Sequence, residues 1–145
     1  MRAQIIIAAV VAALTSFSAF AADKVHHVAF HVDQNDPKVM NMTLNNVKNV
    51  KKYYDTKGEK VVIEVVAYGP GLMMYSAAKS PVKQRIAALS LEISDLKFSA
   101  CGNTHRKMSK KAGKNMELIS EAQMVPSGVV QLISLQEEGY SYVRP

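Results

Sequence analysis

Residues 61 to 68, Val-Val-Ile-Glu-Val-Val-Ala-Tyr, form a near-continuous β-branched run, and this run limits the fold more than any other segment. A strand with one wet face alternates apolar and polar residues. A strand apolar on both parities must be covered on both faces, as in a parallel sheet flanked by helices. Gly69-Pro70-Gly71 closes the run with residues that break regular structure.

The segments around it alternate in type. Val25 to Val32 reads as a first strand, ending in the turn-like Asp33-Gln34-Asn35-Asp36-Pro37. Asp36 as N-cap and Pro37 at the first helical position open a helix whose apolar stripe is Met40, Leu44, Val47, Val50 and Tyr54, and which stops at Lys57-Gly58. Leu72 to Ala78 reads ambiguously, as a short helical turn. Ser80-Pro81 predicts the start of a second helix with the stripe Val82, Ile86, Leu89, Ile93 and Leu96. Lys97 to Cys101 is expected to be a third strand and Thr104 to Ala112 a basic helix stopped by Gly113. Met116 to Val125 contains strand or irregular structure, Pro126-Ser127-Gly128 introduces a last helix through Glu138, and Tyr140 to Val143 alternates as a terminal strand. This order predicts an α/β fold: a three-layer α/β/α open, mostly parallel sheet of about five strands joined by right-handed crossovers.

The N-terminus reads as a cleavable export signal over residues 1–21. Arg2 supplies a thin positive region, Ile5 to Leu14 an apolar core, and Ala19-Phe20-Ala21 the small-x-small cleavage pattern that leaves Ala22 first. The apolar stretch is interrupted by Thr15, Ser16 and Ser18 and falls short of the roughly 20 residues that span a bilayer, so no stable membrane span is expected after cleavage. The expected location is the bacterial periplasm. Residues 22–145 are then one compact domain. The formal charge of +6 is spread over many lysines in a chain without Trp, which gives little support to nucleic-acid binding. A modest lysine excess instead draws small anions such as sulfite, thiosulfate or sulfide.

Cys101 is the single cysteine. In an oxidising compartment an unpaired cysteine is an intermolecular disulfide, an inert buried thiol or a reactive one. Ser99-Ala100-Cys101-Gly102-Asn103-Thr104-His105 reads as a strand end turning through glycine into a helix, which aims amide dipoles at the sulfur and favours its thiolate. Three loops are expected at that carboxyl edge of the sheet: His31 to Asn35, Gly69 to Gly71, and Cys101 to Thr104. Arg106, Lys107, Lys110 and Lys111 add positive charge within two turns, or form the solvated face of a surface helix.

His105, four residues beyond Cys101, is a candidate proton shuttle, and Cys-x-x-x-His is half of a metal site; no metal or cofactor is expected. Strand alternation sets His27 and His31 together on the face opposite His26, and His31, at the strand's carboxyl end, is the one placed to approach Cys101. Gly69 and Gly71 either present amides to an anion or make a plain tight turn. Gly102 permits the turn after the cysteine, and Asn103 and Thr104 cap the helix behind it with ligand binding as a second role. The scattered methionines read as core filling rather than a copper cluster.

Four segments in order resemble the DsrE/DsrF-like proteins: Asn35-Asp36-Pro37 leading to Leu44-Asn45-Asn46; Ala67-Tyr68-Gly69-Pro70-Gly71; Ala100-Cys101-Gly102-Asn103-Thr104; and Val125-Pro126-Ser127-Gly128-Val129 through Leu135-Gln136-Glu137-Glu138-Gly139-Tyr140. The resemblance covers essentially the whole mature chain. It implies a three-layer α/β domain that assembles as a homo-oligomer, trimer or hexamer, and a role in sulfur oxidation or relay through a cysteine that carries a persulfide, here Cys101. The expected function is therefore an exported carrier or sulfurtransferase that takes sulfane sulfur from a small sulfur anion or a donor protein and passes it to an acceptor. Two other classes stand beside it. One is a non-catalytic oligomeric module binding a small anion or ligand at the strand ends. The other is a thiol-redox enzyme, which would need an external partner in place of a resolving cysteine.

Overall fold

A computed structural model describes residues 24–145, so the expected leader over residues 1–21 lies outside the described residues. Five strands form one sheet: β1 (Val25–Val32), β2 (Lys60–Ala67), β3 (Leu96–Cys101), β4 (Ala122–Val125) and β5 (Ser141–Val143). Their spatial order is β4-β3-β2-β1-β5 and every neighbouring pair is parallel. Four α-helices connect them: α1 (Pro37–Thr56), α2 (Lys83–Glu92), α3 (Gly102–Ala112) and α4 (Gly128–Glu137), with a 3-10 helix over Gly69–Tyr75.

The topology fixes which face each helix covers. From β1 to β4 the chain moves one strand at a time in a single direction, so right-handed crossovers put α1, α2 and α3 on one face. The return from β4 across the sheet to β5 puts α4 on the other. Packing agrees. Phe30, Val32, Ile63, Val65 and Phe98 pack with Met40, Leu44, Val47, Ile86 and Leu89 in the larger core, against which Met108 of α3 also rests. Ala29 and Val66, of the opposite parity, pack with Leu132 and Leu135 of α4. Each large side chain fully buried in the main core contributes about 1.5 to 3 kcal/mol. The β-branched run that reads as covered on both faces is β2, and its six residues from Val61 to Val66 are buried but for Val62.

Several boundaries differ from the sequence reading for identifiable reasons. Asp36 caps α1 as expected, accepting from the Lys38 amide at 2.8 Å. Ser80 does not open α2. Its hydroxyl donates to the Met74 carbonyl at 2.5 Å and accepts from the Val82 amide, so it ties off the 3-10 segment and the helix begins at Lys83. Leu96, placed by periodicity on the α2 stripe, begins β3 instead. α3 begins at Gly102, two residues before Thr104, and this makes Cys101 its N-cap residue.

Candidate functional site

The helix leaving β3 lies on one face and the helix leaving β4 on the other, so the crevice between the ends of these adjacent strands is the topological switch point of the sheet, where ligands of open α/β folds bind. Cys101 ends β3 in that crevice, and Gly128, the first residue of α4, closes it from the β4 side. A β-carbon on Gly128 would lie 3.1 Å from the Cys101 β-carbon and 2.9 Å from that of Tyr68, so only glycine lets the start of α4 come this close.

Two helix N-termini therefore converge on one sulfur. Cys101 is 4% exposed, and burial pushes its thiol pKa up. The Thr104 hydroxyl, followed by the amides of Gly128, Thr104 and Asn103, outweighs burial and holds the pKa below the ordinary thiol value. The thiol closes no side-chain cap hydrogen bond in this geometry; what these groups supply is an environment that favours the anion. The basic side chains of α3, expected from sequence to lower the pKa, are not among these groups; hydroxyl and backbone do it. Thr104 is itself positioned by the loop after β2, since the Gly69 amide donates to its Oγ1 at 2.9 Å. That contact brings Gly69, at φ +54°, into the site.

The other candidates sort by contact. Gly102 is buried, and a β-carbon there would meet the Val125 carbonyl oxygen at 3.0 Å, so it serves the close passage of α3 past the end of β4. The Asn103 amide faces the sulfur while its side chain accepts from Arg106. Gly71 has a packing role, because a β-carbon would fall 2.3 Å from the Val32 carbonyl oxygen. His105 turns to another partner: its Nε2 pairs with the Met116 carbonyl at 2.7 Å, which pins the segment after α3.

His31 is buried, with Nδ1 2.6 Å from the Tyr142 hydroxyl and its ring stacked on Tyr68 at 4.6 Å. Its Nε2 has no hydrogen-bond partner among the described residues. Burial holds its pKa below the usual histidine value, opposed by Asp33 and aided by Arg144. Tyr68 connects it with the cysteine, since Tyr68 and Cys101 both press on Gly128. Cys101, Tyr68, His31 and Tyr142 thus lie in a row across β3, β2, β1 and β5. Tyr68 and Tyr142 were not candidates from sequence. Tyr68 does follow directly on β2, and the parity of β1 puts His31 on the face they share. His26, on the opposite face as alternation requires, stacks on Tyr54 and pairs with Glu59 at 2.6 Å.

Among the described residues no three His, Cys, Asp or Glu side chains stand close enough to hold a metal, and no helix is long and apolar enough to cross a membrane. A groove of about 740 Å³ lies between the C-terminal ends of α1 and α2, lined by Lys48, Lys52 and Glu92 among others. It lies at the amino edge of the strands, away from Cys101.

No family model matches the chain, and no curated protein matches it. Among solved structures, a protein of unknown function, MTH1491 from Methanobacterium thermoautotrophicum, superposes with a TM-score of 0.70 at 30% sequence identity, over 83% of this chain and 99% of that one.

Proposed function

The chain belongs to one family with MTH1491, whose function is unknown, and from the surroundings of Cys101 we propose that the protein carries sulfane sulfur as a persulfide, as an exported DsrE/DsrF-like member active in the periplasm. The observation that carries this reading is geometric: buried Cys101 is the N-cap residue of α3, and Gly128, the first residue of α4, packs directly against it, so two helix starts meet at one thiol and favour its anion. A carrier thiol must be ionised to accept sulfur. In the loading step the Cys101 thiolate attacks a sulfane sulfur of a polysulfide. The new S–S bond forms as the donor's S–S bond breaks, and the donor leaves as a shorter polysulfide or hydrosulfide with the electron pair. In delivery, an acceptor thiolate attacks the outer sulfur, and the pair returns to Cys101. The same amides that favour the thiolate suit it as the leaving group.

Assembly as a trimer or hexamer belongs to this proposal. α4 buries Leu132 and Leu135 against the sheet and leaves Val129, Val130 and Ile133 about half exposed, so it is apolar on both sides. Helices of that kind are covered in the assembled molecule.

A second reading, a non-catalytic oligomeric module for a small anion or ligand, is favoured by the unpartnered Nε2 of buried His31. One experiment separates the two. The reduced protein is incubated with polysulfide, its intact mass is taken, and Cys101→Ser is run beside it. The carrier reading expects a gain of one or more sulfur atoms that dithiothreitol removes and that the variant lacks. No cysteine-dependent gain would overturn it, and ligand binding retained by the variant would support the module.

A further inference from the structure

α3 has no acidic residue, and its cations gather on one side. At about 100° per residue, Asn103, Arg106, Lys107, Lys110 and Lys111 fall within roughly 140° of its circumference, while His105, Met108 and Ala112 share the opposite side. All four cations are exposed, and none takes part in an ion pair among the described residues. Lys110 and Lys111 lie in the last turn, where the helix dipole favours positive charge. Arg106 and Lys107 lie at the middle of the helix, outside the last turn, where the dipole gives them no support. Local helix stability therefore does not account for the complete stripe. It begins at the cysteine: the Arg106 guanidinium bonds the Asn103 side chain and stands 3.4 Å from where a Gly102 side chain would start.

We propose that the outward face of α3 is a docking surface for an acidic segment of a second protein, one that brings sulfur to Cys101 or removes it; this purpose rests on the carrier reading above. The stripe extends about 12 Å from Asn103 to Lys111 at 1.5 Å per residue, several times the reach of a small sulfur anion and the length of a short peptide segment. On the same side of the sheet, in the edge strand β4, Met124 pairs with buried Ala100 and is half exposed, an apolar anchor beside the charges. α3 carries no aromatic residue on which bases could stack, and the chain has no Trp. α3 itself has no exposed large apolar residue to sink into lipid. Acidic protein is the chemistry left.

The test uses the purified protein and a fluorescently labelled Asp- and Glu-rich peptide bearing Ser where a donor would carry cysteine, beside its Asn and Gln counterpart. Anisotropy is expected to show the acidic peptide binding about tenfold or more tighter, with the preference shrinking as salt is raised. The triple change Lys107→Glu, Lys110→Glu and Lys111→Glu is expected to abolish that preference, and the milder Lys→Gln triple to lose most of it should the reversal fail to fold. Equal binding of the two peptides, or a preference that survives neutralisation, overturns the proposal. So does tighter binding to vesicles containing phosphatidylglycerol or to a single-stranded oligonucleotide. The peptide holds no transferable sulfur, so its binding is scored separately from loading: peptide binding together with no cysteine-dependent sulfur gain from polysulfide overturns the carrier reading and upholds the surface.

Discussion

The Gly69 amide donates to Thr104 Oγ1 at 2.9 Å, and through that one bond the loop after β2 sets the hydroxyl that most favours the Cys101 anion. Removing the hydroxyl removes both links. Thr104→Ala is expected to raise the midpoint of the pH profile for Cys101 alkylation, and Thr104→Ser to restore it, because serine keeps the donor. An unchanged midpoint in Thr104→Ala would assign the effect to the amides alone.

The depressed thiol pKa also makes stability depend on pH. The folded state holds the anion better than the unfolded chain does, so the added stability is complete above the ordinary thiol pKa and is lost as pH falls through the folded value. Denaturant midpoints measured across the alkaline range should rise with pH in this window, and the rise should vanish in Cys101→Ser.

His31 gives a second, acidic window. Burial lowers its pKa, so the neutral ring contributes stability that is fully present above the unfolded value of about 6.5 and is lost as pH falls through the folded one. Replacement by phenylalanine should flatten stability against pH in that range. Tyr142→Phe, which removes the Nδ1 partner, is expected to cost about 1 to 2 kcal/mol by chemical denaturation.

Gly71→Ala and Gly128→Ala test the close approaches. The first would drive a β-carbon against the Val32 main chain and is expected to destabilise by on the order of 3 kcal/mol. The second meets the Tyr68 and Cys101 side chains and should cost about 1 to 3 kcal/mol while shifting the thiol midpoint upward, because α4 is displaced from the sulfur. Gly71→Ala should leave that midpoint in place wherever the protein still folds.

The apolar outer face of α4 predicts its own failure. Val130→Glu with Ile133→Glu is expected to convert an oligomer to monomer in analytical ultracentrifugation, with little loss of folded signal because both side chains are about half exposed. A wild-type protein that is already monomeric would remove α4 as an assembly surface.

Much of this fold was legible because parallel strands covered on both sides carry a local mark, seen in the run from Val61 to Ala67, and because Asp36-Pro37 begins α1 by chemistry internal to the segment. The start of α2 was not, since the Ser80 hydroxyl is claimed by the Met74 carbonyl through tertiary packing. Cys101 could be placed at a strand-to-helix junction from its neighbours alone. The Gly128 amide could not be assigned to it, because only the switch of faces between α3 and α4 brings that residue to the sulfur. The Met116 carbonyl that His105 meets could not be assigned to it for a similar reason, because that carbonyl lies beyond the end of α3. Of the row from Cys101 to Tyr142, only the cysteine and His31 stood out before the strand order put four side chains side by side.

The most direct measurement is the ionisation of Cys101 itself, followed by thiolate absorbance in the reduced protein as pH is raised, with Cys101→Ser subtracted. A midpoint clearly below that of free cysteine is predicted, since hydroxyl and amides outweigh burial at the sulfur. A midpoint at or above the free value would contradict the account and make Cys101 an ordinary buried thiol.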